Sequence, residues 1–302
     1  MPSIPFAGSI VALVTPFTRK GAVDYKALSS LIEWQIAQGT DGIVCTGTTG
    51  ESCTLSDAER IKIALHCVQI ATGRIPIIAG TGTCNTDQSV RLTAKAQAVG
   101  ASGCLAVTPY YNKPTQRGCL EHFRSIARVG LPVIAYHNPG RAVVRLNLDT
   151  IRALGEIPGI VAIKESSGDL EFVKKIRSIT ELPILSGDDD LTCGSIQNGA
   201  VGAISVIGNI IPRGWKQMIQ AALSNHVERA QQLHQRYLAL CKGIFLETNP
   251  QCAKYLVSQM GRCKPVLRLP LVWPTQETQD ALRKIVLRLA LPHGVRGIEC
   301  LG

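Results

Sequence analysis

The chain has 302 residues, 45% of them hydrophobic, and a formal net charge of +10. This length fits two ordinary domains or one large eight-stranded barrel with additions, and the hydrophobic content is sufficient for an extensive core. No run of about eighteen uncharged apolar residues occurs, which excludes a typical membrane-spanning helix.

The N-terminus and the cysteines bear on the compartment. Residues 1–15 contain neither a basic segment nor a small-residue cleavage site, so we predict no signal peptide and expect a cytoplasmic location. The 11 cysteines are scattered, as is typical of thiols in a reducing compartment. No Cys/His cluster has metal-ligand spacing, so neither a metal site nor a cofactor is predicted.

Most of the positive charge lies after residue 200. A nucleic-acid-binding surface is one interpretation, but these basic residues are spaced through helical patterns without interleaved aromatic residues or a known binding motif. The simpler explanation of the positive charge is that these basic residues lie on solvent-exposed helix faces. We therefore predict neither a nucleic-acid partner nor a membrane partner.

Short apolar runs alternate with amphipathic helical patterns along the first 200 residues. Eight runs are predicted to be buried strands, at 9–14, 42–45, 75–79, 103–107, 132–136, 160–164, 183–185 and 203–206. Helices are predicted between them at 25–38, 56–72, 86–100, 118–127, 146–154, 170–179 and 191–198. Eight strands, each followed by a helix, indicate an α/β fold whose parallel βα units close into a (β/α)8 TIM barrel.

Strand patterns stop near residue 209, and four further helices are predicted at 210–224, 227–245, 250–260 and 275–290. The first of them completes the barrel. Residues 1–224 are therefore predicted to form the barrel, and residues 225–302 a C-terminal helical extension. No low-complexity linker separates the two, which favours packing of the extension against the barrel. The tail at 291–302 has little periodicity, and we expect it to be disordered.

Lys164 stands at the C-terminal end of the sixth predicted strand, directly after the apolar run 160–163. In barrels of this kind the C-terminal ends of the strands carry the chemistry. A lysine that is partly desolvated there has its neutral amine favoured, as a nucleophile that attacks a carbonyl requires. Taken alone, a strand-end lysine that reaches into water is the simpler interpretation.

Hydroxyl groups and phenols follow other strands. Thr48 and Thr49 lie in a glycine-flanked turn, where hydroxyls and free N–H groups can hold a carboxylate and relay a proton. The pair Tyr110-Tyr111 follows the fourth strand, and Tyr136 ends the fifth. A phenol can pass protons when it is hydrogen-bonded to another hydroxyl.

Charged groups follow the fifth and seventh strands. Arg141 could grip a substrate carboxylate through a bidentate pair, whereas His137 is as well explained by a structural role. The acidic run 188–190 could bind a metal, but it equally could cap the following helix. Together, the amine, hydroxyls, phenols and guanidinium are what imine-based carbon–carbon chemistry needs.

Several longer motifs appear in order along the chain, at 14–17 (VTPF), 47–51 (GTTGE), 108–112 (TPYYN), 136–141 (YHNPGR), 164–165 (KE), 186–188 (SGD), 247–250 (ETNP) and 267–270 (LRLP). Through them the chain resembles the dihydrodipicolinate synthase / N-acetylneuraminate lyase family from about residue 6 to residue 285. The resemblance implies a TIM barrel with a C-terminal helical part. It also implies a homotetramer built as a dimer of dimers, or a homodimer.

The resemblance assigns four catalytic residues. Lys164 would form a Schiff base with pyruvate, and protons would be relayed by Tyr136, Thr48 and Tyr111. Tyr111 would reach the active site of the neighbouring subunit. The implied reaction condenses pyruvate with L-aspartate 4-semialdehyde in lysine and diaminopimelate biosynthesis.

Four further residues are assigned to substrate binding by the same resemblance. Thr49 and Ile204 would contact pyruvate, Gly187 would line the pocket, and Arg141 would hold the carboxylate of the semialdehyde. Because Ile204 faces a barrel interior, it is a core residue by default. A sister aldolase acting on N-acetylneuraminate or keto-deoxy sugar acids remains an alternative, as does a barrel that binds a partner without turnover.

The resemblance also bears on feedback by lysine. Family members inhibited by lysine carry a histidine pair early in the second helix, and an Asn and a Glu around the start of the third. Here those positions hold Asp57, Arg60, Cys84 and Gln88. With no carboxylate at Gln88 for a lysine ammonium, we expect little or no inhibition, although Asp57 could substitute in part.

Overall fold

The computed structural model describes residues 6–289. Eight parallel strands form a closed barrel in chain order, and β8 returns to pair with β1. They are β1 (Gly8–Ala12), β2 (Gly42–Cys45), β3 (Ile77–Gly80), β4 (Gly103–Val107), β5 (Val133–His137), β6 (Ile160–Glu165), β7 (Ile184–Ser186) and β8 (Gly202–Ser205). The predicted TIM barrel is confirmed, with strand boundaries that differ by two residues or fewer.

Twelve α-helices occur within residues 6–289. They are α1 (Tyr25–Ala37), α2 (Asp57–Ala71), α3 (Thr86–Ala98), α4 (Gln116–Ala127), α5 (Pro139–Ala142), α6 (Leu148–Gly155), α7 (Leu170–Ile179), α8 (Thr192–Gln197), α9 (Pro212–Leu223), α10 (Val227–Gly243), α11 (Gln251–Gln259) and α12 (Gln276–Arg288). Short 3-10 turns lie at Ser52–Thr54, Asp189–Leu191 and Ile207–Asn209. In this described part of the chain no helix combines the length and the apolar character needed to cross a bilayer.

Local sequence signals explain where several helices begin. The Ser56 side chain accepts from the N–H of Glu59, whose carboxylate accepts from the N–H of Ser56, and this capping box starts α2 as its spacing predicts. The Asn85 side chain caps α3 in the same region of the fold. The four-residue α5 was not predicted, because one helical turn is too short to show a period.

Strand alternation divides the core into two clusters. Inward-facing residues of β5 and β6 include Ile134, Tyr136 and Ala162, and they fill the barrel together with Ile10, Val44, Ile78, Leu105, Leu185 and Ile204. Outward-facing residues pack under the helices in a larger cluster. Since side chains alternate along a strand, Lys164 points to the same interior side as Ala162, two residues before it.

The helices after α9 pack on the barrel and on each other. α10 lies against α9 and α12, and α11 lies against α12. The helix predicted at 275–290 ends at Arg288. The division at residue 224 stays a prediction, and the tail predicted to be disordered lies outside the described residues.

Candidate active site

Lys164 lies at the top of the barrel interior and is only 5% exposed. It is paired in register with Tyr136 on the neighbouring strand β5. Its Nζ lies 4.3 Å from the centroid of the Tyr136 ring. The interpretation of a strand-end lysine reaching into water is therefore wrong, since the amine is enclosed beside a phenol.

Gly187 lies directly beside this amine. A Cβ built at position 187 would be 2.6 Å from Cε of Lys164 and 1.9 Å from Oγ of Ser166. Its N–H donates to the carbonyl oxygen of Glu165 at 2.7 Å. Only a residue without a side chain lets the end of β7 approach Lys164 this closely.

The turn after β2 carries Thr48 and Thr49. Thr49 is 2% exposed, and its Oγ1 accepts from Nδ2 of Asn249 at 3.0 Å. The turn is also held by the segment after β1, because Oγ1 of Thr15 donates to the carbonyl oxygen of Gly50 at 2.7 Å. The Thr48 hydroxyl is half-buried and makes no hydrogen bond within residues 6–289, so it is available to a ligand.

Tyr136 and Arg141 are connected through Asn138, which the sequence did not single out. Nδ2 of Asn138 donates to the Tyr136 hydroxyl at 2.9 Å, and its Oδ1 accepts from the N–H of Arg141 at 3.1 Å. The guanidinium of Arg141 donates to the carbonyl oxygen of Asn249 at 3.3 Å. Arg141 thereby lines an open cleft of about 510 Å³ with residues 245–249 and Gln251. The Asn-Pro-Gly sequence after β5 was the available signal for Asn138.

Tyr111 and Ile204 lie in opposite environments. The Tyr111 side chain is 88% exposed and its backbone has a φ of +72°. This left-handed conformation is unfavourable for a bulky residue and persists only where the surroundings enforce it. The exposure of Tyr111 places its side chain in solvent, away from the buried Lys164 of its own chain. Ile204 is fully buried in the barrel interior with Tyr136.

Comparison with known proteins decides the family. The model of the dihydrodipicolinate synthetase family matches residues 5–289. The chain belongs to this family. A 4-hydroxy-tetrahydrodipicolinate synthase from Aquifex aeolicus is 45% identical over 95% of this chain and 99% of its own. A protein of the same name from Stutzerimonas stutzeri is 43% identical over 92% of this chain and 96% of its own.

A solved structure agrees with these relatives. The chloride-inhibited dihydrodipicolinate synthase from Acinetobacter baumannii, crystallised with pyruvate, superposes with a TM-score of 0.92 at 40% identity. The match covers 95% of this chain and 99% of that one. Members of the dihydrodipicolinate synthetase family therefore share this fold along nearly the whole chain.

His137 has a structural role in this member of the family. Its Nδ1 and Oε2 of Glu165 are 2.6 Å apart, and its Nε2 lies 3.1 Å from the N–H of Leu146. The N–H of Leu146 can only donate, so Nε2 is an acceptor and the ring proton lies on Nδ1. Both ring nitrogens are used and the side chain is fully buried, which leaves no atom for substrate.

The acidic run after β7 binds backbone N–H groups of neighbouring loops. Oδ2 of Asp188 accepts from the N–H of Gly168 at 2.9 Å. Oδ2 of Asp189 accepts from the N–H groups of Val206 and Ile207 at 3.0 and 2.8 Å. Asp188 occupies the N-cap position of the 3-10 turn, but no side chain of the run 188–190 makes a capping hydrogen bond there or at α8, so the predicted side-chain capping is not observed. Within residues 6–289 no group of three or more His, Cys, Asp and Glu side chains is arranged to hold a metal ion.

Burial raises the pKa of Asp188 to about 6 and that of Asp189 to about 7. For an acid, a raised pKa in the folded state means that stability is lost as the pH rises from the unfolded value of about 4. Asp189 is 1% exposed and its Oδ1 has no hydrogen-bond partner among the described residues. Its ionisation therefore lowers stability progressively from about pH 4 to about pH 7, and the full loss remains at higher pH.

Asp189→Asn should stabilise the protein at pH 8 and do so by much less, about 1 kcal/mol, at pH 4.5, where an unfolded Asp is only partly protonated. The amide oxygen can still accept from Val206 and Ile207, and the charge is gone. The difference between a folded pKa of about 7 and an unfolded pKa of about 4 sets an upper limit of about 4 kcal/mol on the gain in unfolding free energy at pH 8. Urea unfolding at both pH values measures it, with the exposed Asp149→Asn as control. Equal effects of the Asp189 change at the two pH values would contradict the prediction.

Proposed function

We propose that the chain is a lyase that condenses pyruvate with L-aspartate 4-semialdehyde to give 4-hydroxy-tetrahydrodipicolinate, the first committed step of diaminopimelate and lysine biosynthesis. The observation that carries the proposal is the enclosed amine of Lys164, 4.3 Å from the Tyr136 ring in a chain of this family. An amine that is shielded from water and adjacent to a phenol suits condensation with a keto acid.

The proposed reaction begins when the neutral amine of Lys164 attacks the keto carbon of pyruvate and water leaves. Loss of a methyl proton from the imine gives an enamine, which attacks the aldehyde carbon of the second substrate. The amine of that adduct then closes the ring and displaces Lys164. In this proposal Tyr136, Thr48 and the partner's Tyr111 relay the protons.

The substrate-binding residues act in the same proposal. Thr49 and Ile204 contact pyruvate, and Gly187 leaves the space beside Lys164 in which the imine forms. Arg141, at the edge of the open cleft, binds the carboxylate of the semialdehyde. A sister aldolase would use the same lysine, but the two relatives described above, which match this chain over nearly their full length, carry the synthase name.

The assay of the proposal is condensation of the two substrates by the purified protein, followed by enzymatic reduction of the product. We expect turnover with pyruvate and L-aspartate 4-semialdehyde, and none with Lys164→Ala. Cleavage of N-acetylneuraminate in the absence of condensation would instead support the sister activity. Binding of pyruvate without either reaction would support a barrel without turnover.

Assembly and location belong to the same proposal. A homodimer or a homotetramer made of two dimers would bring the exposed Tyr111 to a neighbouring active site. The partners are then pyruvate, the semialdehyde and further copies of the chain, with no nucleic acid and no membrane. The cytoplasm fits the ten cysteines of the described residues, which are all free thiols.

Lysine should inhibit the condensation weakly or not at all. Asp57, which could replace the missing Glu in part, accepts a hydrogen bond from Nε2 of Gln88 at 2.9 Å. Arg60 is buried and donates to the carbonyl oxygen of Gly80 at 2.7 Å. Loss of an interaction with a charged group lowers affinity roughly ten- to a hundredfold.

A titration of the condensation reaction with L-lysine measures this inhibition, with D-lysine as the control for nonspecific effects. We expect less than half-inhibition at about 1 mM L-lysine, because a ligand held by only a few weak contacts has a dissociation constant in the millimolar range or above. Half-inhibition by L-lysine well below that concentration would show that Asp57 and Arg60 form a functional lysine site.

A further inference from the structure

The most unusual charged pair in the described residues joins Glu51, in the threonine turn, to Lys254 on α11. Both side chains are completely buried, and Nζ of Lys254 donates to Oε1 of Glu51. Burial lowers the pKa of Lys254 in spite of the carboxylate beside it. A buried ion pair is weak evidence for stability, because a well-packed apolar pair of the same size often does as well or better. Stability alone therefore does not explain this pair.

Further contacts fix the pair on both sides. Oε2 of Glu51 accepts from the N–H of Arg268 at 3.1 Å. Nζ of Lys254 lies 3.9 Å from the ring centroid of Phe17, and the guanidinium of Arg268 lies 4.5 Å from the same centroid. The ring of Phe17, which follows β1, therefore makes cation–π contacts with both Lys254 and Arg268. The Glu51 carboxylate has little freedom to move in this enclosure.

The backbone connects the pair to the threonines. The N–H of Glu51 donates to the carbonyl oxygen of Thr48 at 3.0 Å. Thr46 and Glu51, at the two ends of the turn, have φ values of +53° and +58°. These left-handed conformations are unfavourable for non-glycine residues and persist only when the surroundings enforce them. At the Glu51 end, the enforcing contacts come from Lys254 and Arg268.

We propose that Glu51 and Lys254 are positioning residues, which hold the strained turn so that the Thr48 hydroxyl is placed for proton relay. The proposal rests on the function proposed above for Thr48. It assigns the segment after the barrel a direct part in the geometry of the active site. Neither residue touches the substrate in this proposal, and both act through Thr48.

The test is a double-mutant cycle, because residues that act as a unit have strongly non-additive effects. Thr48→Val is made in the wild type and in the paired variant Glu51→Gln with Lys254→Met, in which neither buried charge remains. We expect the paired variant to fold with a thermal midpoint no lower than the wild type. Its kcat should fall about 10- to 100-fold, while borohydride still traps pyruvate on Lys164.

In the wild type, Thr48→Val should lower kcat about 10²-fold, as expected for the loss of an acid–base group. In the paired variant the same change should cost less than about threefold. The matched control is Lys216→Met with Asp41→Asn, which removes a half-buried ion pair elsewhere on the barrel. In that background Thr48→Val should retain its full effect.

Equal effects of Thr48→Val in the wild type and the paired variant would overturn the proposal, as would wild-type kcat and KM in the paired variant. If the paired variant does not fold, Glu51→Gln with Lys254→Gln is judged by the same criterion, since two amides can hydrogen-bond to each other and neither is charged. If Thr48→Val has no effect in the wild type, Thr48 does not take part in catalysis, and this proposal is wrong. Trapping of pyruvate on Lys164 shows separately whether the proposed imine chemistry stands.

Discussion

Incubation with pyruvate and borohydride is expected to add one reduced pyruvyl group to Lys164, located by peptide mapping. Borohydride reduces the imine to a stable secondary amine, so the modified residue marks the nucleophile. Lys164→Arg should form no adduct, because a guanidinium stays protonated and cannot attack a carbonyl. Condensation should fall by on the order of 10³-fold or more, since no other group replaces the covalent step.

The matched control is Lys174→Arg, at an exposed position on α7. It should keep both the adduct and the activity. Lys254 is a stricter internal comparison, because its amine is also buried but is paired with Glu51. Recovery of the adduct on Lys254, or on a surface lysine, would remove Lys164 from the mechanism.

Tyr111→Phe is expected to lower activity about 10²-fold or more, the range for a group that transfers protons. The ring is kept and only the hydroxyl is lost, so the fold should be unaffected. Because the side chain is 88% exposed in its own chain, we expect its effect on catalysis to come through another subunit. Mixing two inactive variants under conditions that exchange subunits tests this directly.

Tyr111→Phe mixed with Lys164→Ala should regain activity in mixed dimers. One of the two sites then combines an intact Lys164 with the intact Tyr111 of the other chain. The control mixture is Tyr136→Phe with Lys164→Ala, which should stay inactive, because Tyr136 lies beside Lys164 of the same chain. No recovery in the first mixture, with mixed dimers verified, would mean that each site is built within one chain.

The sequence predicts the barrel because its signals are local. A buried parallel strand reads as a short apolar run, and the run 160–163 leads directly to Lys164. Strand alternation then places Lys164 and Tyr136 on the interior side. The placement of each of these two residues depends on a pattern only a few positions long.

Other features of the site depend on contacts between residues that are far apart in the sequence, and no local pattern predicts such contacts. Asn249 donates to Thr49 across 200 residues of sequence. The burial of Asp189 depends on how the loop after β8 returns over β7, so its raised pKa has no sequence signature. Neither the exposure of Tyr111 nor its positive φ has a signature in the local sequence.

The pairing of Glu51 with Lys254 has a consequence for synthesis on the ribosome. All eight strands have been made once Ser205 is added, but Lys254 follows only later, and 203 positions separate it from its carboxylate partner. Until Lys254 arrives, burial of an unpaired Glu51 would be strongly unfavourable. Domains fold from the N-terminal side during translation. From the proposed role of this pair we expect the barrel to close before its threonine turn reaches its final conformation, and the nascent chain to become catalytically competent only after α11 has been synthesised and packed.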